Sequence, residues 1–340
     1  MIFPVYAQGF ANLGADIEGF AIPKRGTPLI FPRDHGSHPD YKIEWWYFTA
    51  NLRGDNGRDY GIQWTLFRSA LAPIDKTGWS SSQLWMGHAA VTSNAEHFFA
   101  ERQARGGIGQ AGVLVKPYLA WIDNWELKDN SKLRADILSE ISISASDIKF
   151  SYKLKCKSEK PIVLQGENGF SLKSPSGQAS YYYSQPFYTV EGTLDISNDH
   201  IKVVGQGWFD REWSSQPLTK SQIGWDWFSI HFETGQKFMA YNLRDVGQDF
   251  LSGNWIEVDG KNEFLSNKMI EMRPLKWQKI KGKSLPIEWR IIVPSKGIDV
   301  ETSPLNSQSW MSTVIPYWEG PISVQGSTKG VGYMELTGYK

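Results

Sequence analysis

Apolar and polar residues alternate in short runs along most of this chain, and the runs end at clusters of Gly, Asn, Asp and Ser. Tyr60-Gly-Ile-Gln-Trp-Thr-Leu-Phe67, Ile143-Ser-Ala-Ser-Asp-Ile-Lys-Phe-Ser-Tyr-Lys-Leu154 and Ile287-Glu-Trp-Arg-Ile-Ile-Val293 are examples. A period of two puts successive side chains on opposite faces of a strand. Turn signals recur at intervals of roughly 8–12 residues, the pattern of a sandwich or barrel. Gly54-Asp-Asn-Gly57 and Glu233-Thr-Gly-Gln236 each separate two strand-like runs and predict hairpins. Helical patterns are few; the one near residues 83–93 also fits a strand.

Two stretches resemble one another. Glu44-Trp-Trp-Tyr-Phe48, a turn and Tyr60 to Arg68 are matched by Gly224-Trp-Asp-Trp-Phe-Ser-Ile-His231, a turn and Phe238-Met-Ala-Tyr-Asn-Leu-Arg244. Each half also holds a Tyr-rich strand, at Ser180-Tyr-Tyr-Tyr183 and at Gly332-Tyr-Met-Glu-Leu-Thr-Gly-Tyr339. A duplicated barrel accounts for this with one assumption; chance similarity between amphipathic hairpins is the alternative. The polar stretch Asp195–His200 marks the expected boundary, giving domains at 1–195 and 196–340.

Composition narrows the function. With 340 residues, 41% hydrophobic and 21% charged, the chain can bury two cores. Lys+Arg and Asp+Glu are both 36, so the net charge is zero and no electrostatic argument favours nucleic acid. Sixteen Trp, 14 Tyr and 17 Phe suit either bulky barrel fillers or the walls of an apolar pocket with a few anchored polar atoms. The single cysteine, Cys156, rules out an intrachain disulfide and a Cys-based metal site. No run approaches the roughly 18 apolar residues of a membrane span. Met1 to Gln8 is too short for a signal peptide, yet Val5 and Ala7 stand where small residues precede a cleavage site, as in the stub of a removed export signal.

Four clusters carry candidate chemistry: Phe31-Pro-Arg-Asp-His-Gly-Ser-His-Pro-Asp40 leading into Glu44-Trp-Trp-Tyr47; Gly87-His-Ala-Ala-Val91; Ser180-Tyr-Tyr-Tyr-Ser-Gln-Pro186; and Gly207-Trp-Phe-Asp-Arg-Glu-Trp-Ser-Ser215 with Gly224-Trp-Asp-Trp227. By parity Asp226 lies opposite Trp225 and Trp227, while Asp210 and Glu212 share a face with Trp208. Acids buried beside Trp have raised pKa values unless Arg or backbone donors hold them ionised, and Arg68, Arg211 and Arg244 are placed to do that. The structural alternative is a buried acid–Arg network closing a barrel floor. His35, His38 and His88 with Asp34 and Asp40 do not form a specific metal motif, and no metal or cofactor is expected. Neither a nucleophile elbow, a P-loop nor a dinucleotide fingerprint is present.

Together these motifs, with Tyr317-Trp-Glu-Gly320 and the terminal Glu-Leu-Thr-Gly-Tyr339, resemble the AttH / hydroxyneurosporene synthase-like group of lipocalin-like proteins over nearly the whole chain. The resemblance implies an all-β fold of two tandem antiparallel lipocalin-like (calycin) barrels. It links the chain to carotenoid 1,2-hydratases, which add water across a terminal isoprenoid double bond without a cofactor, to relatives that catalyse pericyclic cyclisations, and to others that accompany export permeases. The hydratases' proposed proton donor aligns with Asp210, here followed by the AttH-type Arg-Glu-Trp-Ser-Ser. Tyr181 and Tyr183 stand where hydratases carry His and Trp.

The preferred expectation is an extracytoplasmic protein, periplasmic or envelope-associated, that binds an apolar lipid or isoprenoid. The first rival is a cofactor-free hydratase-like enzyme with Asp210 as general acid and Glu212 beside it. The second is a non-catalytic partner of a membrane export complex. The ligand site is expected where Glu44, Trp46, Gln63, His88, Tyr181, Tyr183, Trp208, Trp213, Trp225, Asp226 and Trp227 converge with those acids, at the junction of the barrels. If the Asp210 carboxyl lines an apolar cavity the enzyme gains; if Arg211 or Arg68 ties it up elsewhere, the binding protein gains.

Overall fold

The chain is described by a computed structural model over residues 17–131, 137–197, 199–216, 218–219 and 221–339. The expected signal stub at Met1 to Gln8 lies outside the described residues. Two antiparallel sheets, each curled into a barrel, make up nearly all of it, as the alternation predicts. The first runs through β1 (Ile43–Gly54), β2 (Asp59–Ala70), β3 (Gln83–Ser93), β4 (His97–Arg105), β5 (Ala111–Val115), β6 (Tyr118–Ile122), β7 (Trp125–Asp129), β8 (Glu140–Ser146), β9 (Phe150–Lys157), β10 (Val163–Leu164), β11 (Phe170–Leu172), β12 (Ala179–Ile196) and β13 (Asp199–Ser214). The second runs through β14 (Gln222–Phe232), β15 (Lys237–Asp245), β16 (Phe250–Ile256), β17 (Asn262–Ser266), β18 (Glu271–Ile280), β19 (Lys283–Val293), β20 (Ile298–Pro304), β21 (Trp310–Met311), β22 (Tyr317–Gly326) and β23 (Gly330–Leu336). The ambiguous run at 83–93 is a strand.

Spatial order is β4-β3-β2-β1-β13-β12-β9-β8-β7-β6-β5 in the first sheet and β17-β16-β15-β14-β23-β22-β20-β19-β18 in the second. The hairpins β1–β2 and β14–β15 therefore occupy equivalent places, as the internal resemblance suggests. The Tyr-rich strands do not: β12 is one strand removed from β1, whereas β23 adjoins β14. The sheets part between Ser214 and Gln222, which corrects the division at 195/196. The polar stretch there is a hairpin tip, with Asp195 opposite His200 and Ile196 opposite Asp199, so its turn-forming residues reverse the chain instead of linking two domains.

Alternation explains which face each strand buries. Phe150, Tyr152, Leu154 and Cys156 of β9 point into barrel one, while Lys153, Lys155 and Lys157 are exposed. Phe228, Ile230 and Phe232 of β14 likewise fill barrel two. Yet β14 is buried on both faces from Asp226 to Phe232. Its other face meets the first barrel in a shared core of Tyr47, Tyr182, Trp208, Trp227, Met239, Tyr241 and Tyr333. Gly61 of β2 permits this approach: a Cβ there would collide with the ring of Pro321 on β22 and stand 2.7 Å from the Tyr333 hydroxyl. Among the described residues no helix is long and apolar enough to cross a membrane.

Candidate active site

Strand parity decides which side chains reach the space between the barrels. β1 and β13 pair in the register Glu44↔Trp213, Trp46↔Arg211 and Tyr47↔Asp210. Alternate residues take opposite faces. Trp46 and Trp213 thus join the core of barrel one, while Trp45, Tyr47, Asp210 and Glu212 line a cleft between the barrels. On β12, Tyr181 and Tyr183 turn inward, and Ser180 and Tyr182 face the cleft. On β14, Trp225 and Trp227 line the cleft; Asp226 turns the other way.

The cleft has a volume of about 660 Å³, within the roughly 300–1,000 Å³ of small-molecule sites. Trp45, Tyr47, Tyr182, Trp225, Trp227 and Tyr241 supply its aromatic wall, with Phe67, Leu218, Ile315 and Leu243 adding apolar surface. His88, Lys173, Asp210, Glu212, Tyr317 and Glu335 supply the chemistry.

Asp210 is 2% exposed. The Trp208 indole N–H donates to its Oδ1 at 2.8 Å, and the Ser184 hydroxyl donates to the same oxygen. Among the described residues no cation forms an ion pair with it; the nearby Lys173 is paired with Glu212. Burial pushes its pKa up to about 7, and these hydrogen bonds offset only part of that. Glu212, two residues on and about 7 Å along the strand, is held differently: Ser180 donates to it at 2.5 Å and the Lys173 ammonium lies 2.8 Å away. Lys173 also sits over the Tyr241 ring, 4.2 Å from its centroid.

The second barrel brings its own acids. Glu335 of β23 accepts the Trp225 indole N–H at 2.5 Å, and burial pushes its pKa up to about 7, with the charge of Glu212 adding to the shift. Directly across the ladder stands Glu319 of β22. It is 2% exposed, takes the Tyr47 hydroxyl at 2.5 Å, and is held well above the usual carboxylate range by burial and by the charge of Glu335.

Eight expected site residues do not line the cleft, and six of them belong to networks inside the barrels. Glu44 is buried in a clamp at the end of barrel one: Arg68 donates to Oε1, Arg211 to Oε2 at 2.5 Å, and the His38 ring nitrogen lies 3.1 Å away. Burial alone would raise its pKa, but the two guanidinium groups hold it well below the usual range. Arg211 lies 3.7 Å over the Trp46 ring, and His38 stacks on Trp213 at 4.0 Å. Tyr183 bonds the His35 ring at 2.6 Å and Tyr181 accepts the Lys24 amide at 2.8 Å. This is the acid–Arg network that closes a barrel end. Asp226 is likewise turned into barrel two, with Arg244 at 3.3 Å and the Tyr339 hydroxyl donating at 2.7 Å, but here burial outweighs the single guanidinium and pushes the pKa up to about 6. The shared cause is parity, since one residue along a strand exchanges cleft for barrel interior.

Of the remaining expected residues, His88, Trp225 and Trp227 line the cleft with the two acids. Trp208 and Gln63 support it: Trp208 braces Asp210, and Gln63 donates to the Tyr317 hydroxyl at 2.9 Å. Lys173 carries no sequence signal, and Tyr47, Tyr317, Glu319 and Glu335 lie in motifs quoted above without being expected site residues. Tyr317-Trp-Glu319 and Glu335-Leu-Thr-Gly-Tyr339 contain an acid near aromatic residues, the signal that marked Asp210. Their approach to the first barrel depends on pairings between distant strands.

Comparison with known proteins follows from this geometry. A family model described as AttH-like matches residues 22–339. No curated protein matches. The crystal structure of an AttH protein from Nitrosomonas europaea, 29% identical, covers 94% of this chain and 100% of its own, with a TM-score of 0.83. Kievitone hydratase from Nectria haematococca, 15% identical over 94% of this chain and 95% of its own, shares the fold with a TM-score of 0.68.

Proposed function

This chain belongs to the AttH-like family, and from that premise we propose that its inter-barrel cleft takes an unsaturated apolar small molecule of isoprenoid type and transfers a proton to it from Asp210. The observation that carries this reading is the environment of Asp210: a buried carboxyl lining an aromatic cleft, its pKa pushed up to about 7, and in no ion pair among the described residues, the nearby Lys173 ammonium being paired with Glu212. Such an acid keeps its proton near neutral pH, which an alkene requires of its donor. A pocket that only stored an apolar ligand would have no use for it.

The chemistry balances as a hydration. The Asp210 O–H bond breaks and a C–H bond forms at the less substituted alkene carbon. The resulting tertiary cation lies among the π faces of Trp45, Trp225 and Trp227, which favour positive charge. A water oxygen bonds to the more substituted, cationic carbon, and the Glu212 carboxylate, fixed by Lys173 and Ser180, takes the water's proton. Transfer of that proton to Asp210 restores the starting state and leaves a tertiary alcohol.

The test is incubation of the protein with a panel of prenyl-ended isoprenoids in isotopically labelled water, followed by mass spectrometry. The expected result is a product heavier by one labelled water, absent with Asp210→Asn although that variant still quenches Trp fluorescence on binding. Binding by both proteins without product from either would leave a carrier of apolar ligands. Indifference to every ligand would remove both readings.

A further inference from the structure

Glu319 poses a problem that the cleft chemistry does not solve. Its carboxyl is buried behind Tyr47, one of its oxygens has no hydrogen-bond partner among the described residues, and its neighbour across the ladder is another acid, Glu335. Two carboxyl groups side by side in an apolar wall cannot both ionise cheaply, so the pair holds at least one proton. A buried proton store is useful only if the proton can be replaced, and an apolar ligand in the cleft would cut its acids off from bulk water.

A row of polar groups leads away from Glu319 on the other side, hydrogen-bonded from Tyr317 outward. The Tyr317 hydroxyl lies against its carboxyl. That hydroxyl already accepts a hydrogen bond from the Gln63 amide at 2.9 Å, so its own hydrogen is free to point elsewhere. The His88 Nδ1 stands 2.8 Å from it. The other ring nitrogen of His88 lies 3.2 Å from the Glu101 carboxylate. An ionised Glu101 only accepts, which puts the ring hydrogen of a neutral His88 on Nε2 and leaves Nδ1 to accept from Tyr317. Burial keeps His88 neutral against the pull of Glu101. The ring is 1% exposed, whereas the Glu101 side chain is 20% exposed and also takes the Val314 backbone N–H. The path therefore runs from solvent to the buried acid pair.

We infer that Glu101, His88 and Tyr317 form a proton relay that exchanges the proton of the Glu319–Glu335 pair with solvent through the wall of the cleft. In the outward direction the Glu319 O–H breaks as its proton moves to the Tyr317 oxygen. The Tyr317 proton passes to His88 Nδ1, and the Nε2 proton passes to Glu101. Tyr317 and His88 each gain one proton and give one up, so they end neutral; the net change is one proton moved from Glu319 to Glu101, with the negative charge passing from Glu101 to the buried acid pair. The reverse direction refills the pair. The inference rests on the proton chemistry proposed for the cleft, but its test does not require turnover or ligand.

The test is infrared spectroscopy of the unliganded protein after rapid mixing into D2O. A protonated buried carboxyl has a C=O band separate from the amide bands, and Glu319→Gln identifies the one belonging to Glu319. In the wild type this band should shift rapidly as O–H becomes O–D. In His88→Ala the shift should slow on the order of a hundredfold, and added imidazole should restore it. Glu101→Gln, a change at the surface end that leaves the core intact, should slow it too. An unchanged rate in Glu101→Gln and in folded His88→Ala, or the absence of any Glu319-dependent band at neutral pH, would overturn the relay. Failure of the labelled-water experiment alone would leave this result standing.

Discussion

Glu44 and Asp210 sit on adjacent strands of one sheet and face opposite ways: Glu44 pairs with Trp213, Asp210 with Tyr47, and the sheet itself separates their carboxyl groups. One is clamped by two arginines inside a barrel; the other is in no ion pair among the described residues and lines the cleft. The same wall thus carries an acid fixed in its charged form and an acid kept neutral. The first serves the fold; the second is the proton donor of the proposed reaction.

Glu44→Gln should therefore damage stability and spare the cleft. It leaves Arg68 and Arg211, 1% and 0% exposed, facing each other with no counter-charge. Loss of one partner from a buried ion pair costs about 3–5 kcal/mol, and denaturant unfolding should show a fall of that order. A change below about 1 kcal/mol would mean that the clamp contributes little. The affinity for apolar ligands should be unaltered in the folded fraction.

Gly61→Ala tests how tightly the barrels are pressed together. The added methyl meets the Pro321 ring, which cannot swing aside as a flexible side chain would. Overpacking of this sort costs about 1–3 kcal/mol, and the melting temperature should drop accordingly. An unchanged melting temperature would show that the barrels separate readily.

How far the sequence speaks follows from the physics of strands. Alternation and turn chemistry are local, so the barrels, the hairpins at Gly54–Gly57 and Glu233–Gln236, and the shared face of Asp210 and Glu212 are all legible. Which face of a strand meets the partner barrel is not local. Glu44, Trp46, Tyr181 and Tyr183 look as site-like as Asp210 and Trp225, and only the pairing of β1, β12 and β13 turns them inward. Glu319 and Glu335 meet across strands of the second barrel, and Glu319 reaches Tyr47 from 272 residues away, a contact no spacing rule reveals.

Stability should also depend on pH in a way that Asp210 controls. Its folded pKa, about 7, lies above the unfolded value of about 3.9. Between those values the folded state binds the extra proton, so the contribution is fully present below about pH 4 and is lost as pH rises through about 7. Glu335 acts in the same direction, and Glu44 in the opposite one, stabilising above about pH 4. Asp210→Asn removes one falling component, with a slope of at most about 1.4 kcal/mol per pH unit. Unfolding free energies measured from pH 4 to 7.5 should decline less steeply in the variant. Parallel curves would mean that Asp210 titrates normally.

The most direct measurement is the carboxyl titration of Asp210 itself. Carbon NMR of protein labelled at the aspartate side-chain carboxyl, with the resonance assigned by its loss in Asp210→Asn, follows the group across the pH range. A midpoint near 7 is expected of an acid that holds its proton in the cleft. A midpoint at or below about 4, the value of an ordinary carboxylate, would contradict the account, because an ionised Asp210 has no proton to give.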